Sequence, residues 1–216
     1  MSRGTFELRL VEDLIHPGSA RALDAANRVV YAVEGRLTVS TDGAAAALAE
    51  NEAWHGSAAC RVSTGDVPAL TWRWELRDPE TRTGANDGVK LAQDIRLDPD
   101  ARYLMRCDRV DFPPGGIAYT HVHQGPGIRM LLCGRFRVET AGHTLDLRPG
   151  QPWFESGPDP VYAAVSSSED TSFVRVMVLP LELRGRSSIR YVNPEDQAKP
   201  KAQRYTIFVD APISIS

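Results

Sequence analysis

The stretch "GGIAYTHVHQGPGIRMLLCG", residues 115–134, decides the reading of this chain. His121 and His123 stand one residue apart in a run rich in β-branched and aromatic residues, a Gly125-Pro126-Gly127 turn follows, and Arg129 opens the next run. In a strand, residues two apart point to the same side, so the two imidazoles face the same way. Enclosed in an apolar interior without a partner, they would leave ring nitrogens unsatisfied. A metal ion removes that problem, since neutral imidazole is a good ligand for Fe, Mn, Ni, Cu or Zn. A hydrogen-bonded, metal-free pair is the other solution.

Outward from this stretch the chain reads as β-structure. Strand-like runs occur at "RLTVST" (36–41), "TWRWEL" (71–76), "YLMRCDRVDF" (103–112), "IRMLLCGRFRVET" (128–140) and "FVRVMVLPLEL" (173–183). They are separated by Gly-, Pro- and Asp-rich turns. "SARALDAANRV" (19–29) has helical composition.

The sequence also repeats itself. Gly35 and Gly134 are 99 residues apart, as are Trp54 and Trp153, with "VEGRLTV" lying on "LCGRFRV" between these anchors. "TWRWEL" lies on "VRVMVL" at an offset of 103. The alanine run 44–47 then aligns with "HTLD" and is read as a strand. Two similar β-units result, with residues 1–90 forming an N-terminal unit and 91–183 a C-terminal one. A polar linker, "RDPETRTGANDG" (77–88), joins them, and 184–216 form an extension whose "RYTIFVD" (204–210) alternates like a strand seeking a sheet edge.

Segment 115–134 resembles the first motif of the cupin superfamily: Gly, five residues, His-x-His, three or four residues, Glu, six residues, Gly. Gly115, His121, His123 and Gly134 match it, and the Glu position falls on Gly127. "RPGQPWFESGPDPV" (148–161) resembles the second motif through Pro149–Gly150, with its histidine position on Pro160 or Val161. The resemblance implies an all-β fold, a double-stranded β-helix (the cupin jelly-roll barrel), in two tandem cupin-like units. It further implies a divalent metal ion (Fe, Mn, Ni or Zn) and a homodimer.

With two ligands missing, Glu155 is the leading candidate for completing the metal site with His121 and His123, as ligand or as a general base beside it. Asp159 and Gln124 are weaker candidates. Arg129 falls in the inward phase and needs an anion, either Glu155 or a substrate carboxylate or phosphate that it would orient. Tyr119 and Tyr162 are candidates for lining the substrate pocket. Trp153, with its repeat partner Trp54, reads as core. At the offset of 99 the first unit places Ala22 and Asp24 at the histidine positions, Arg28 at Gly127 and Gly56 at Glu155, so chemistry is expected in the C-terminal unit alone.

Composition sets the outer limits. The chain has 216 residues, 42% apolar and 25% charged, with a net charge of -3, which gives no basic footprint for nucleic acid. Only Lys90, Lys199 and Lys201 are lysines. Cys60, Cys107 and Cys133 have no C-x-x-C spacing and read as reduced thiols. The N-terminus lacks a signal pattern and no stretch reaches membrane-span length, so a cytoplasmic protein without membrane partners is expected. The expected function is a metal-dependent enzyme acting on a small, anionic organic molecule, with a dioxygenase favoured; the alternative is a non-catalytic small-molecule-binding cupin.

Overall fold

The structure, a computed structural model, describes residues 4–78 and 87–215. Most of the 77–88 linker therefore lies outside the described residues. The chain divides into two compact units, one comprising residues up to Arg102 together with 213–216, the other Tyr103–Pro212.

The first unit is built from β1 (Gly4–Ile15), β2 (Ala20–Leu23), β3 (Asn27–Glu34), β4 (Leu37–Thr41), β5 (Ala44–Leu48), β6 (Ala53–Gly56), β7 (Cys60–Ser63), β8 (Ala69–Arg77) and β9 (Val89–Leu97). One sheet runs β6-β3-β8-β1-β9 and the other β2-β7-β4-β5. Their inner faces enclose a core of Ile15, Val30, Ala32, Leu37, Val39 and Val62, among others. The helical composition of 19–29 is overridden: Ala20–Leu23 and the start of β3 are extended and paired with β7, β6 and β8. Segments this short gain more from closing a sheet than from intrinsic propensity.

The second unit follows the same plan with β10 (Tyr103–Phe112), β11 (Ile117–His123), β12 (Gly127–Cys133), β13 (Phe136–Thr140), β14 (His143–Leu147), β15 (Pro152–Glu155), β16 (Val161–Val165), β17 (Thr171–Pro180), β18 (Ile189–Tyr191) and β19 (Arg204–Ile213). Its sheets run β15-β12-β17-β10-β19 and β14-β13-β16-β11-β18. Val110, Leu131, Trp153 and Phe173 of one sheet pack on Ala118, Phe136, Val138 and Val161 of the other. The rings of Phe136, Trp153 and Phe173 lie 5.1 to 5.2 Å apart.

The duplication is visible in the ladder registers. Arg28 faces Gly56 and Val30 faces Trp54 in the first unit; Gly127 faces Glu155 and Arg129 faces Trp153 in the second, each 99 residues on. The last long strand corrects the alignment. Val30 faces Arg73 while Arg129 faces Arg175, so β8 and β17 correspond at an offset of 102 rather than 103. A slip of one residue exchanges the two faces of a strand, and the corrected offset puts Arg73 and Arg175 in equivalent inward rows. The fifth strands correspond as well: β9 pairs with β1 at the sheet edge, where β19 occupies the edge beside β10. Residues 89–97 therefore complete the first unit, one strand beyond the expected boundary at 90, and the terminal extension supplies the matching strand of the second unit. Among the described residues no helix is long and apolar enough to cross a membrane.

Candidate metal and substrate site

The inward face of the β15-β12-β17-β10 sheet changes character along the strands. One row is apolar: Val110, Phe173 and Leu131. The next carries Asp108, Arg175, Arg129 and Trp153, and the one after it Arg106, Met177, Gly127 and Glu155. His121 and His123 reach this charged end from β11 in the opposite sheet, and both are buried.

Four of the residues singled out from sequence come together here. The Nε2 atoms of His121 and His123 are 3.2 Å apart, and Oε2 of Glu155 lies 3.3 Å from His123 Nε2. Arg129 Nη2 forms an ion pair with Glu155 Oε2 at 2.6 Å, and Arg129 Nη1 donates to the Gly127 carbonyl at 2.5 Å. Trp153 Nε1 donates to the other oxygen, Oε1, of Glu155 at 2.8 Å. Trp153 is thus core on its ring faces and a positioning donor at its edge. Glu155 itself is delivered by the β12–β15 ladder directly opposite Gly127, the position at which the first motif would carry its own carboxylate.

Second contacts set the imidazole orientations. Nδ1–H of His121 donates to the Tyr119 carbonyl at 2.7 Å, which leaves Nε2 with its lone pair toward the cavity. Nδ1 of His123 lies 3.5 Å from Ser188 Oγ. The His123 backbone N–H is held at 2.8 Å by the carbonyl of Gly157, a residue at φ 108° whose α-carbon side abuts the Gly125 backbone, so glycine is required there.

Burial and charge settle the protonation states at neutral pH. Burial lowers the pKa of both histidines, His123 to about 3, so both are neutral. Burial would raise the Glu155 pKa, but the Arg129 guanidinium and the contacts with His123 and Trp153 outweigh it and hold the carboxyl well below the usual range. Burial pushes Arg129 down to about 10, with Glu155 opposing, which leaves it charged. Beside it, Arg175 binds Asp108 through Nε at 2.6 Å and Nη2 at 3.1 Å.

Other expectations need correction. Arg129 is fully buried, with Glu155 and Gly127 as its partners, so it is a structural ion-pair residue and is not placed to orient a substrate. Tyr119 does not share the inward phase of His121, because the β11–β16 register shifts between Ala118 and His121. Its ring instead lies under Lys199, 4.8 Å from the ammonium. Neither Tyr119 nor Tyr162 lines the cavity at the histidines. Asp159 accepts from the Ser156 hydroxyl at the surface, and the backbone N–H of Gln124 donates to the Ser188 carbonyl. Arg175, Asp108 and Ser188 were not singled out from sequence. The corrected offset of 102 exposes Arg175; nothing in the local pattern marks Ser188.

The cavity bounded by His121, His123, Glu155, Phe112, Val161 and Phe173 measures about 20 Å³, room for one water-sized group. The spacing of the imidazole pair suits two ligands of one divalent metal: ligand nitrogens about 2.1 Å from a metal stand about 3.0 to 3.4 Å apart at octahedral to tetrahedral angles, and the pair is at 3.2 Å. Among the described residues no group of three or more His, Cys, Asp or Glu side chains is arranged to hold a metal ion, and Glu155 Oε2 is engaged by Arg129.

In fold the chain is two tandem cupin-like β-units, and solved structures share that architecture at low sequence identity. The oxalate decarboxylase of Lactobacillus farciminis, in its formate complex, aligns over 90% of this chain and 82% of its own at 13% identity, with a TM-score of 0.65. The salicylate 1,2-dioxygenase of Pseudaminobacter salicylatoxidans aligns over 93% and 74% at 11% identity, with a TM-score of 0.57. The coconut allergen cocosin aligns over 80% and 77% at 14% identity, with a TM-score of 0.61. No protein-family profile and no curated protein sequence matches the chain.

Proposed function

We propose that the second unit is a metal-dependent enzyme centre acting on a small, anionic organic molecule, with dioxygenase-type chemistry. The observation that carries this reading is the convergence of His121 Nε2, His123 Nε2 and Glu155 Oε2, at 3.2 and 3.3 Å spacings, on one buried cavity. His121 and His123 would hold the metal (Fe, Mn, Ni or Zn) and Glu155 would be the third donor, an approximation to the two-histidine, one-carboxylate arrangement. When bound, such an ion supplies Lewis acidity and open positions for dioxygen or a substrate oxygen. The chain's own part is positional. The Tyr119 carbonyl fixes the His121 tautomer, Arg129 keeps Glu155 ionised, and Phe112, Phe136 and Phe173 keep bulk water out. Two structural neighbours act, by name, on small organic acids, oxalate and salicylate, which agrees with an anionic substrate.

A second reading, a non-catalytic binding cupin, has its own support. The polar network closes without a metal if Nε2–H of His123 donates toward Glu155 and His121 while Ser188 donates to Nδ1. Elemental mass spectrometry of protein purified without added metal separates the two. Near-stoichiometric Fe, Mn, Ni or Zn that disappears in His121→Ala and His123→Ala supports the enzyme; a folded, metal-free wild type sinks it.

A further inference from the structure

A second, larger cavity of about 290 Å³ adjoins the histidine cavity and shares three walls with it, Arg175, Ile189 and Tyr205. It is enclosed on one side by β10 and β17 and on the other by the extension, residues 185–207. Its volume is close to the lower end for small-ligand pockets, about 300 Å³.

Its charges do not cancel. Arg106 is neutralised by Asp210 at 2.9 Å, and Arg175 by Asp108. Arg186 and Lys201 also line it, and among the described residues neither has a carboxylate within ion-pair distance. Lys201 directs its ammonium at the Asp196, Gln197 and Lys199 carbonyls, 4.4 Å from the centre of the Tyr191 ring, while the Asp196 carboxylate is taken by Lys199 and Asn193. Gln203 lines the same cavity at 8% exposure, and its Oε1 is buried without a donor. The remaining walls are aromatic or aliphatic: Tyr191, Tyr205, Ile189 and Ile207.

Arg186 without a carboxylate in ion-pair range, and the Lys201 charge held on carbonyls nearby, beside an apolar, aromatic wall, select an anion that carries hydrophobic surface. They disfavour metal cations, and the volume disfavours nucleotides. We propose that this cavity binds a small carboxylate with a compact, ring-shaped apolar body. Arg186 takes the carboxylate with the Lys201 charge beside it, Tyr191 and Tyr205 flank the body, and Gln203 Oε1 accepts from a hydroxyl where the ligand has one. The Arg175–Tyr205 pair, with the guanidinium carbon 5.6 Å from the ring centre, forms the partition toward the histidines. The inference names the substrate class of the proposed enzyme and rests on that reading for the fate of the ligand, but not for its binding.

Isothermal titration of the full chain with benzoate, benzamide and acetate tests it, with metal content measured on the same samples. Benzoate binds saturably, and uncharged benzamide and small acetate bind about tenfold or more weakly, the loss expected when a charge-assisted contact or the apolar contact is missing. Arg186→Glu, at an exposed position that leaves packing intact, weakens benzoate by about tenfold or more, as does Lys201→Met; Arg137→Glu, exposed elsewhere in the unit, does not. Equal affinity for benzoate and benzamide, wild-type affinity in Arg186→Glu, or no benzoate binding overturns the inference. Metal-loaded protein that ignores benzoate overturns it alone. Benzoate bound by protein that holds no metal supports it and removes only the enzyme reading.

Discussion

Gly127 and Glu155 face each other across the β12–β15 ladder, so the neighbouring strand sets a carboxylate opposite a residue that has none. The glycine is enforced sterically. A Cβ at residue 127 would lie 2.6 Å from the Val176 carbonyl oxygen, 2.7 Å from Met177 Cγ and 3.1 Å from Arg129 Nη1. Gly127→Ala is therefore expected to lower stability by about 1–3 kcal/mol through overpacking. Gly127→Glu in a Glu155→Ala background should fail to rebuild the site. Thermal melts of both variants check this; wild-type melting of Gly127→Ala would mean the backbone there yields more readily than the contacts suggest.

Arg129 and Glu155 form a buried pair in which each charge needs the other. Glu155→Gln leaves the fully buried guanidinium without its counter-ion, and a loss of about 3–5 kcal/mol is expected from breaking such a pair on one side. Replacing both members, as in Arg129→Met with Glu155→Leu, removes both desolvation costs and should recover most of that loss. Calorimetric thermal unfolding of both variants beside wild type reports the difference. Equal destabilisation in the single and double variants would show that the pair is not energetically coupled.

Metal binding, if His121 and His123 provide it, stabilises the folded state by mass action, about 2.7 kcal/mol at a hundredfold excess over Kd. Chelation should therefore lower the melting temperature of wild-type protein and leave that of His121→Ala unchanged. An identical response in both proteins would place any bound metal elsewhere.

Much of this centre was legible in the sequence because strand geometry is simple. A His-x-His spacing fixes a shared face, and a Pro-Gly turn fixed by the repeat brings Glu155 to the adjacent strand. What was lost followed from interruptions to that period. The register shift after Ala118 turns Tyr119 out of phase, and the one-residue error at "TWRWEL" hid the kinship of Arg73 and Arg175. The wall contributed by residues 185–203 has no periodicity to read, because most of it is irregular backbone placed by long-range contacts such as that of Arg106 with the Leu183 and Arg186 carbonyls. Of the two partners the sequence allows Arg129, burial decides for Glu155.

The first unit has a buried carboxylate of its own, with guanidinium groups around it and no histidines. Glu75 Oε2 accepts from Arg9 Nε at 2.9 Å and Nη2 at 2.6 Å, while its Oε1 meets Arg28 at 3.2 Å and also Arg73. Asp13 continues the network, 3.0 Å from Arg73 and 3.2 Å from Arg21. Burial would raise the Glu75 pKa, but Arg73, Arg28 and Arg9 outweigh it and lower it from 4.5 to about 2. A folded-state value below the unfolded one means that the contribution is fully present above pH 4.5 and is lost as pH falls toward 2, about 3 kcal/mol in all. Glu75→Gln should therefore be less stable than wild type at pH 7, and the gap should narrow steadily between pH 4.5 and 2. Three of the four tryptophans, Trp54, Trp72 and Trp74, lie in this unit, so total tryptophan emission during urea unfolding follows it. A gap that stays constant across that pH range would show that Glu75 is not held ionised by its arginines.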